Sequence, residues 1–179
     1  MKLILFIIVA LLTGFPNTVL AEPASRATVI DGDTIEIGGQ RIRLFGIDAP
    51  EGRQICQQDG KPWRCGQQSA FSLADLLGRH WIKCIQRDRD QYQRIVAVCY
   101  INKLDVNGEM VRQGWALDYR RYSKGRYSRE EAEAKSATRG IWVGEFEKPW
   151  DWRQGKRAAG APSQNESVSP KSPPRWFVP

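Results

Sequence analysis

With 179 residues the chain has room for one domain with its own core, plus some appendages. Its 27 Lys and Arg outweigh 20 Asp and Glu, a formal charge of +7, which favours polyanions such as nucleic acid, acidic polysaccharide or anionic lipid as partners. The single histidine, His80, excludes any mechanism that needs two histidines in one chain, and it reads as a structural residue between a helix and a strand.

The N-terminal segment reads as an export signal. Lys2 precedes the apolar run Leu3 to Leu12, and Val19-Leu20-Ala21 ends on a small residue, which predicts a signal peptide over residues 1–21 with cleavage after Ala21. A membrane span takes roughly 20 apolar residues, and Gly14, Pro16 and Asn17 interrupt this run. The expected destination is therefore secreted or periplasmic, with no stable membrane insertion after cleavage. Only Lys2 is lost with the signal, so the mature chain stays basic.

Strands come first in the domain. Thr28-Val29-Ile30 is β-branched, and Thr34-Ile35-Glu36-Ile37 follows an Asp-Gly-Asp turn. Gly38-Gly39 predicts a hairpin turn into Gln40-Arg41-Ile42-Arg43-Leu44, where Ile42 and Leu44 share one face and Arg41 and Arg43 the other. A long polar loop, residues 50–62, comes next. Gln67 to Leu77 has Ala70, Leu73, Ala74 and Leu77 at helical spacing, with Gly78 as the stop. Two β-type runs, Trp81 to Gln86 and Arg94 to Ile101, predict a second hairpin centred near Gln91–Tyr92. Asn107 is expected to cap a short helix that runs through Gln113 and stops at Gly114. Ser128-x-x-Glu131 reads as a capping box that opens a third helix, ending at Gly140. From Arg153 onward Gly, Ala, Ser and Pro dominate, and residues 154–179 are expected to be a disordered Pro/Ser-rich tail. Strands with helices inserted at the corners suggest a mainly β, α+β fold of OB type.

Four cysteines, Cys56, Cys65, Cys84 and Cys99, favour two disulfides in an exported chain. If the second hairpin forms, Cys84 and Cys99 face each other, and Cys56–Cys65 closes a small loop. Four cysteines allow three connectivities, so this pairing depends on that hairpin.

The chemistry concentrates in Asp31-Gly32-Asp33-Thr34 and Arg43-Leu44-Phe45-Gly46-Ile47-Asp48-Ala49-Pro50-Glu51. Asp33 begins one strand and Asp48 lies just past the end of its hairpin partner, so the two carboxylates could share a hard cation. Glu51 follows in the same loop and could take a proton from a bound water. Arg43 points from a strand towards that corner and can fork onto phosphate oxygens. Singly, each of these is most often a turn, a loop or a solvated strand residue. Their order and proximity carry the signal.

These two segments, intact here, resemble the signatures of the staphylococcal nuclease (thermonuclease) family. Asp90-Gln91-Tyr92-Gln93-Arg94, Met110-Val111-Arg112-Gln113-Gly114-Trp115-Ala116 and Arg139-Gly140-Ile141-Trp142 also look like that family. The resemblance covers roughly Ser25 to Trp152, and it implies a five-stranded OB-type β-barrel with about three α-helices over residues 22–153. It implies Ca²⁺ as cofactor, held by Asp33, Asp48 and the backbone carbonyl of Ala49. It makes Glu51 the general base, and Arg43 and Arg94 the groups that stabilise charge on the phosphorus. Tyr92 and Tyr122 match positions near the nucleotide. Ala49 stands where the best-known member has threonine, and Gln91 where it has lysine, which touches substrate preference rather than chemistry. Of the tryptophans Trp63, Trp81, Trp115, Trp142, Trp150 and Trp152, most are expected to pack rather than stack on bases.

The expected activity is an endonuclease that hydrolyses DNA or RNA with little sequence preference and leaves 3′-phosphate and 5′-hydroxyl ends, acting as a monomer. The alternatives are a non-catalytic nucleic-acid-binding OB module and a basic exported protein that binds a surface polyanion.

Overall fold

The computed structural model describes residues 26–160. The expected signal peptide and residues 161–179 of the expected tail lie outside the described residues.

Local pattern accounts for the first half of the fold. Strands β1 (Thr28–Asp31), β2 (Thr34–Ile37) and β3 (Gln40–Leu44) form an antiparallel meander, with Thr34 paired to Arg43 and Ile37 to Gln40. Gly38 and Gly39 turn the β2–β3 hairpin at φ 58° and 79°, a conformation that side chains other than glycine's rarely tolerate. Ile42 and Leu44 are buried and Arg41 is exposed, as the alternation demands. After β4 (Ile47–Asp48), the two short strands β5 (Cys56–Gln58) and β6 (Lys61–Trp63) make a small hairpin inside the long polar loop.

Helix α1 (Cys65–Leu77) starts two residues before its predicted first turn. It buries Ser69, Leu73 and Leu77, whereas Ala74 faces out. Ser69 is accommodated in the stripe because its Oγ donates to the Trp115 carbonyl at 2.8 Å. Strands β7 (Lys83–Arg89) and β8 (Ile95–Ile101) form the second hairpin, with Cys84 directly opposite Cys99. Both expected disulfides are present, Cys56–Cys65 and Cys84–Cys99. Strand β9 (Leu104–Asp105) folds back on β8.

Helix α2 (Val106–Arg112) is capped by Asp105, whose carboxylate accepts from the Gly108 amide at 3.0 Å. Asn107, the expected cap, is fully buried and does something else. It accepts from the Cys99 amide and donates to the Phe45 and Ala97 carbonyls, tying β8 to the chain that leaves β3. Strand β10 (Leu117–Asp118) pairs with β4, and a one-turn helix α3 (Arg120–Ser123) follows. Helix α4 (Ser128–Ser136) ends earlier than expected, and Ser128 is not its cap. The hydroxyl of Ser128 donates to Asp118 and the Glu131 carboxylate accepts from the Asp118 amide, so both halves of the expected capping box serve β10 instead. A 3₁₀ turn, Gly140–Val143, leads to helix α5 (Pro149–Gly160).

Two expectations are corrected. Among the described residues there are five α-helices rather than about three, because α3 is a single turn and α5 forms where a domain boundary was expected. The boundary between Arg153 and Gln154 falls inside α5, which starts on Pro149 with Asp151 in its first turn, a favourable N-terminus. The main sheet runs β1-β2-β3-β8-β7 with β9 attached to β8, and no strand ladder joins β1 to β7, so the five-stranded path is not a closed barrel. It is a mixed α+β fold with a sheet-rich core.

That core consists of Ile35, Ile42, Leu44 and Ala97 from the sheet, packed with Leu73 and Leu77 of α1 and Val106 and Met110 of α2. A second cluster surrounds Cys56–Cys65 with Leu117 and Ile141, and Trp63, Trp115, Trp142 and Trp150 pack against it. Most tryptophans therefore pack, as expected, whereas Trp81 is exposed. No helix among the described residues is long and apolar enough to cross a membrane.

Candidate active site

The β1–β2 turn is held from both sides. The Asp33 amide donates to Asp31 Oδ1 at 3.0 Å, a side-chain-closed turn, and the Leu44 amide donates to the Asp33 carbonyl at 2.8 Å. A Cβ on Gly32 would come within 2.0 Å of Ser69 Oγ and 2.7 Å of the Ala49 Cβ. The turn is thus wedged between α1 and the segment after β4, and glycine is what lets it fit there.

Register does the rest. Arg43 pairs with Thr34 across the hairpin, which puts its side chain beside Asp33. Gly46, at φ 75°, reverses the chain so that β4 returns Asp48 to the same place. Arg43 Nη1 donates to Asp33 Oδ1 at 3.0 Å, and Arg43 Nη2 lies 3.0 Å from Asp33 Oδ2 and 2.6 Å from Asp48 Oδ1. One guanidinium nitrogen touches both carboxylates. Asp33 also accepts from Thr34 Oγ1 and from the Ala49 amide. Asp33 is 3% exposed and Asp48 0%.

The local electrostatics are strained by like charge. Burial and then the charge of Asp33 push the Asp48 carboxyl up to about 6, although Arg153 and Arg43 pull the other way. The same two causes, burial first, push Asp31 up to about 7. Arg43 is held more firmly protonated, chiefly by Asp33 and against burial. Three carboxyls crowd a site that two arginines do not fully neutralise, and a hard divalent cation with oxygen ligands is the kind of group that relieves such crowding. The donor types fit it: the carboxylates of Asp33 and Asp48 face each other across Arg43, and Ala49 follows Asp48 in the chain. Among the described residues no three His, Cys, Asp or Glu side chains form a ready metal cluster, so a cation here would need ligands beyond the Asp33 and Asp48 side chains.

Glu51 stands on the loop that follows, and its carboxylate reaches the same cluster through Arg153. Arg153 Nη1 donates to Glu51 Oε1 at 2.6 Å and to Asp48 Oδ1 at 3.0 Å, while Nη2 donates to Asp48 Oδ2 at 2.7 Å. The loop itself is anchored by Gln54, which is fully buried. Its Oε1 accepts from the Glu51 amide, and its Nε2 donates to the Glu147 carbonyl at 2.6 Å.

The remaining expected residues stand further off. Arg94 precedes β8, which runs parallel to β3 with Arg43 level with Val96, so Arg94 and Arg43 lie on one face of the sheet. Arg94 Nε donates to Asp90 Oδ2 at 2.6 Å, and its guanidinium lies over the Tyr92 ring. It does not join the Asp33–Arg43–Asp48 cluster. Tyr92 and Tyr122 are 66% and 53% exposed. His80 is exposed, consistent with a bystander.

Asp31, Gln54 and Arg153 were not expected as site residues. Asp31 was legible as part of the Asp-Gly-Asp turn. Gln54 and Arg153 were not legible in these roles, because Gln54 is tied to Glu147, 93 residues away, and Arg153 to partners more than 100 residues away.

A family model described as Staphylococcal nuclease homologue matches residues 41–144, a span that contains Arg43, Asp48, Glu51 and Arg94 but neither Asp33 nor Arg153. The succinoglycan biosynthesis protein ExoI of Rhizobium meliloti (strain 1021) is 42% identical over 126 residues, 68% of this chain and 66% of that protein. The probable staphylococcal-like nuclease CAN3 of Oryza sativa subsp. japonica is 40% identical over 121 residues, 66% of this chain but 30% of that protein. An uncharacterized endonuclease of Haemophilus influenzae (strain ATCC 51907 / DSM 11121 / KW20 / Rd) is 34% identical over 135 residues, 70% of each chain. The chain therefore spans just under two thirds of the first relative and under one third of the rice protein. With the family model matching more than half of its length, and Asp33, Arg43 and Asp48 gathered at one corner of the sheet, the chain belongs to the staphylococcal nuclease homologue family.

Proposed function

We propose that the chain is an exported, Ca²⁺-dependent endonuclease that hydrolyses phosphodiester bonds of DNA and RNA with little sequence preference, leaving 3′-phosphate and 5′-hydroxyl ends. The observation that carries the reading is the shared contact of Arg43 Nη2 with Asp33 and Asp48, one loop away from Glu51.

Asp33, Asp48 and the Ala49 carbonyl would hold the calcium ion. When bound, it supplies a fixed positive charge that neutralises a phosphate oxygen and orients water. Glu51 takes the proton of the attacking water as its oxygen bonds to phosphorus. The bond from phosphorus to the 5′ oxygen breaks, and that oxygen leaves as a hydroxyl after taking a proton from solvent water. Arg43, held in place by two carboxylates, presents a fork of N–H groups to the charge that builds on the equatorial oxygens. Arg94, on the same sheet face, supplies a second guanidinium once it exchanges Asp90 for phosphate. Tyr92 and Tyr122 are exposed enough to flank a nucleotide. These contacts address phosphate and ring faces, which carry little base information.

The two disulfides support an oxidising destination, and the chain is read as acting as a monomer. The reading as a non-catalytic OB module is disfavoured by the full set Asp33, Arg43, Asp48, Glu51 and Arg94.

The test is digestion of single-stranded DNA and RNA by the mature chain, with calcium and then with EGTA, beside Glu51→Gln. Cleavage that needs both calcium and Glu51, with a fall of about 10²–10⁴ in turnover for the variant, is expected. Binding without cleavage by the folded wild type would overturn the reading in favour of the OB module.

A further inference from the structure

Asp48 is fully buried, yet both of its oxygens are already engaged. Oδ1 accepts from Arg43 at 2.6 Å and from Arg153 at 3.0 Å, and Oδ2 accepts from Arg153 at 2.7 Å. The same Arg153 Nη1 holds Glu51 Oε1 at 2.6 Å. Arg153 thus places a positive fork against one candidate cation ligand and the candidate base at once. Its side chain is 23% exposed, and it enters from α5.

We infer that Arg153 is a resident counter-cation, a latch that a divalent cation must displace from Asp48 and Glu51 before the site can work. The inference rests on the cation-site reading of Asp33 and Asp48 given above. A cation at this site needs lone pairs on Asp48, and those that face Arg153 are committed to its N–H groups. Two positive groups cannot share that oxygen pair without repelling each other. While the latch is closed Glu51 is also an ion-pair partner rather than a free base, so one side chain withholds both functions. Asp33 stays outside the latch, because its partners are Thr34, Arg43 and the Ala49 amide.

The elements around Arg153 allow it to leave without unfolding the domain. Trp150, one turn earlier, is stacked on Tyr119 with ring centroids 5.0 Å apart and planes 7° from parallel. Pro149 is buried. The start of α5 is therefore fixed to α3 and β10 by apolar contact, while Arg153 reaches the site through ion pairs with Asp48 and Glu51. A cation that wins Asp48 removes those pairs and leaves the stacked end in place. Displacement lowers apparent cation affinity by the fraction of molecules in which the latch is open.

The experiment is calorimetric titration of the folded, metal-stripped mature chain with calcium ion, beside Arg153→Ala, Arg153→Gln and Asp48→Asn. Both Arg153 variants are expected to bind calcium about tenfold more tightly than wild type, the change expected if the latch is closed nine times in ten, and Asp48→Asn to lose binding. Equal or weaker affinity in the Arg153 variants, with binding still lost in Asp48→Asn, overturns the latch and leaves the cation site standing. Binding by Asp48→Asn equal to wild type overturns the cation site and the latch with it.

Discussion

Gly66 lies so close to Glu51 that a Cβ on residue 66 would stand 1.7 Å from the Glu51 carbonyl oxygen. The loop that carries the candidate base is thus seated directly on the first turn of α1. The obstructing atom is backbone, which cannot swing aside as a long side chain can. Gly66→Ala is expected to push the loop away from the Asp33–Arg43–Asp48 cluster. Activity should fall more than tenfold, and stability by about 1–3 kcal/mol. Thermal melting and digestion assays, side by side, check both.

The two arginines should separate stability from activity. Arg43 is paired to two buried carboxylates, so Arg43→Ala leaves them poorly compensated and is expected to cost about 2–4 kcal/mol in the metal-free protein. Arg94 pairs with Asp90 in a surface turn, so Arg94→Ala should cost less than about 1 kcal/mol. Both are expected to lower turnover by about 10² or more. Melting curves that fail to distinguish the two variants would contradict this placement.

Asp31 should make the metal-free protein less stable as pH rises. Its folded-state pKa of about 7 lies above the ordinary 3.8, so the folded protein binds the proton more tightly than the unfolded chain does. That stabilisation is complete below about pH 4 and lost as pH rises to about 7. Asp31→Asn keeps the oxygen that accepts from the Asp33 amide and removes the charge. In EGTA it is expected to melt above wild type at pH 8, by about 1–3 kcal/mol, with the difference vanishing near pH 4. A melting series across that range measures it.

Each disulfide should have its own phenotype. Cys84–Cys99 joins facing strands, and its replacement by serines is expected to cost about 2–4 kcal/mol while leaving activity intact well below the melting temperature. Cys56–Cys65 closes the loop directly after Gln54, whose carbonyl lies 3.5 Å from the Cys65 sulfur. Losing that bridge should lower activity as well, because Glu51 hangs from the same segment. Matched melting and digestion assays on the two serine pairs distinguish them.

Much of the site was legible because it is local. Asp33, Arg43 and Asp48 fall within one hairpin and its exit, where the two-residue period and a Gly-Gly turn dictate which side chains meet. The failures share one cause, a distant competitor for a local group. Asn107 would cap α2 by its position, but a buried gap between β8 and Phe45 needs its amide, and Asp105 takes the cap. Ser128 and Glu131 have capping-box spacing, yet the backbone and carboxylate of Asp118 claim both. Arg153 stood at the very end of the expected domain with no role, because its ion pairs lie more than 100 positions back in the chain. Closure of the sheet failed for the same reason: ladder ends are decided by long-range packing, which strand propensity does not encode.

The tie between Gln54 and Glu147, together with the paired backbones of Gln57 and Glu145, has a consequence for synthesis. The ribosome makes the chain from its N-terminus, so the Asp33–Arg43–Asp48 hairpin can form early from neighbours already in place. The loop bearing Glu51 cannot be pinned until residues 145–147 have emerged, at the end of the domain. A nascent chain therefore carries its carboxylates before residues 145–147 are there to complete the anchoring of the loop that bears Glu51.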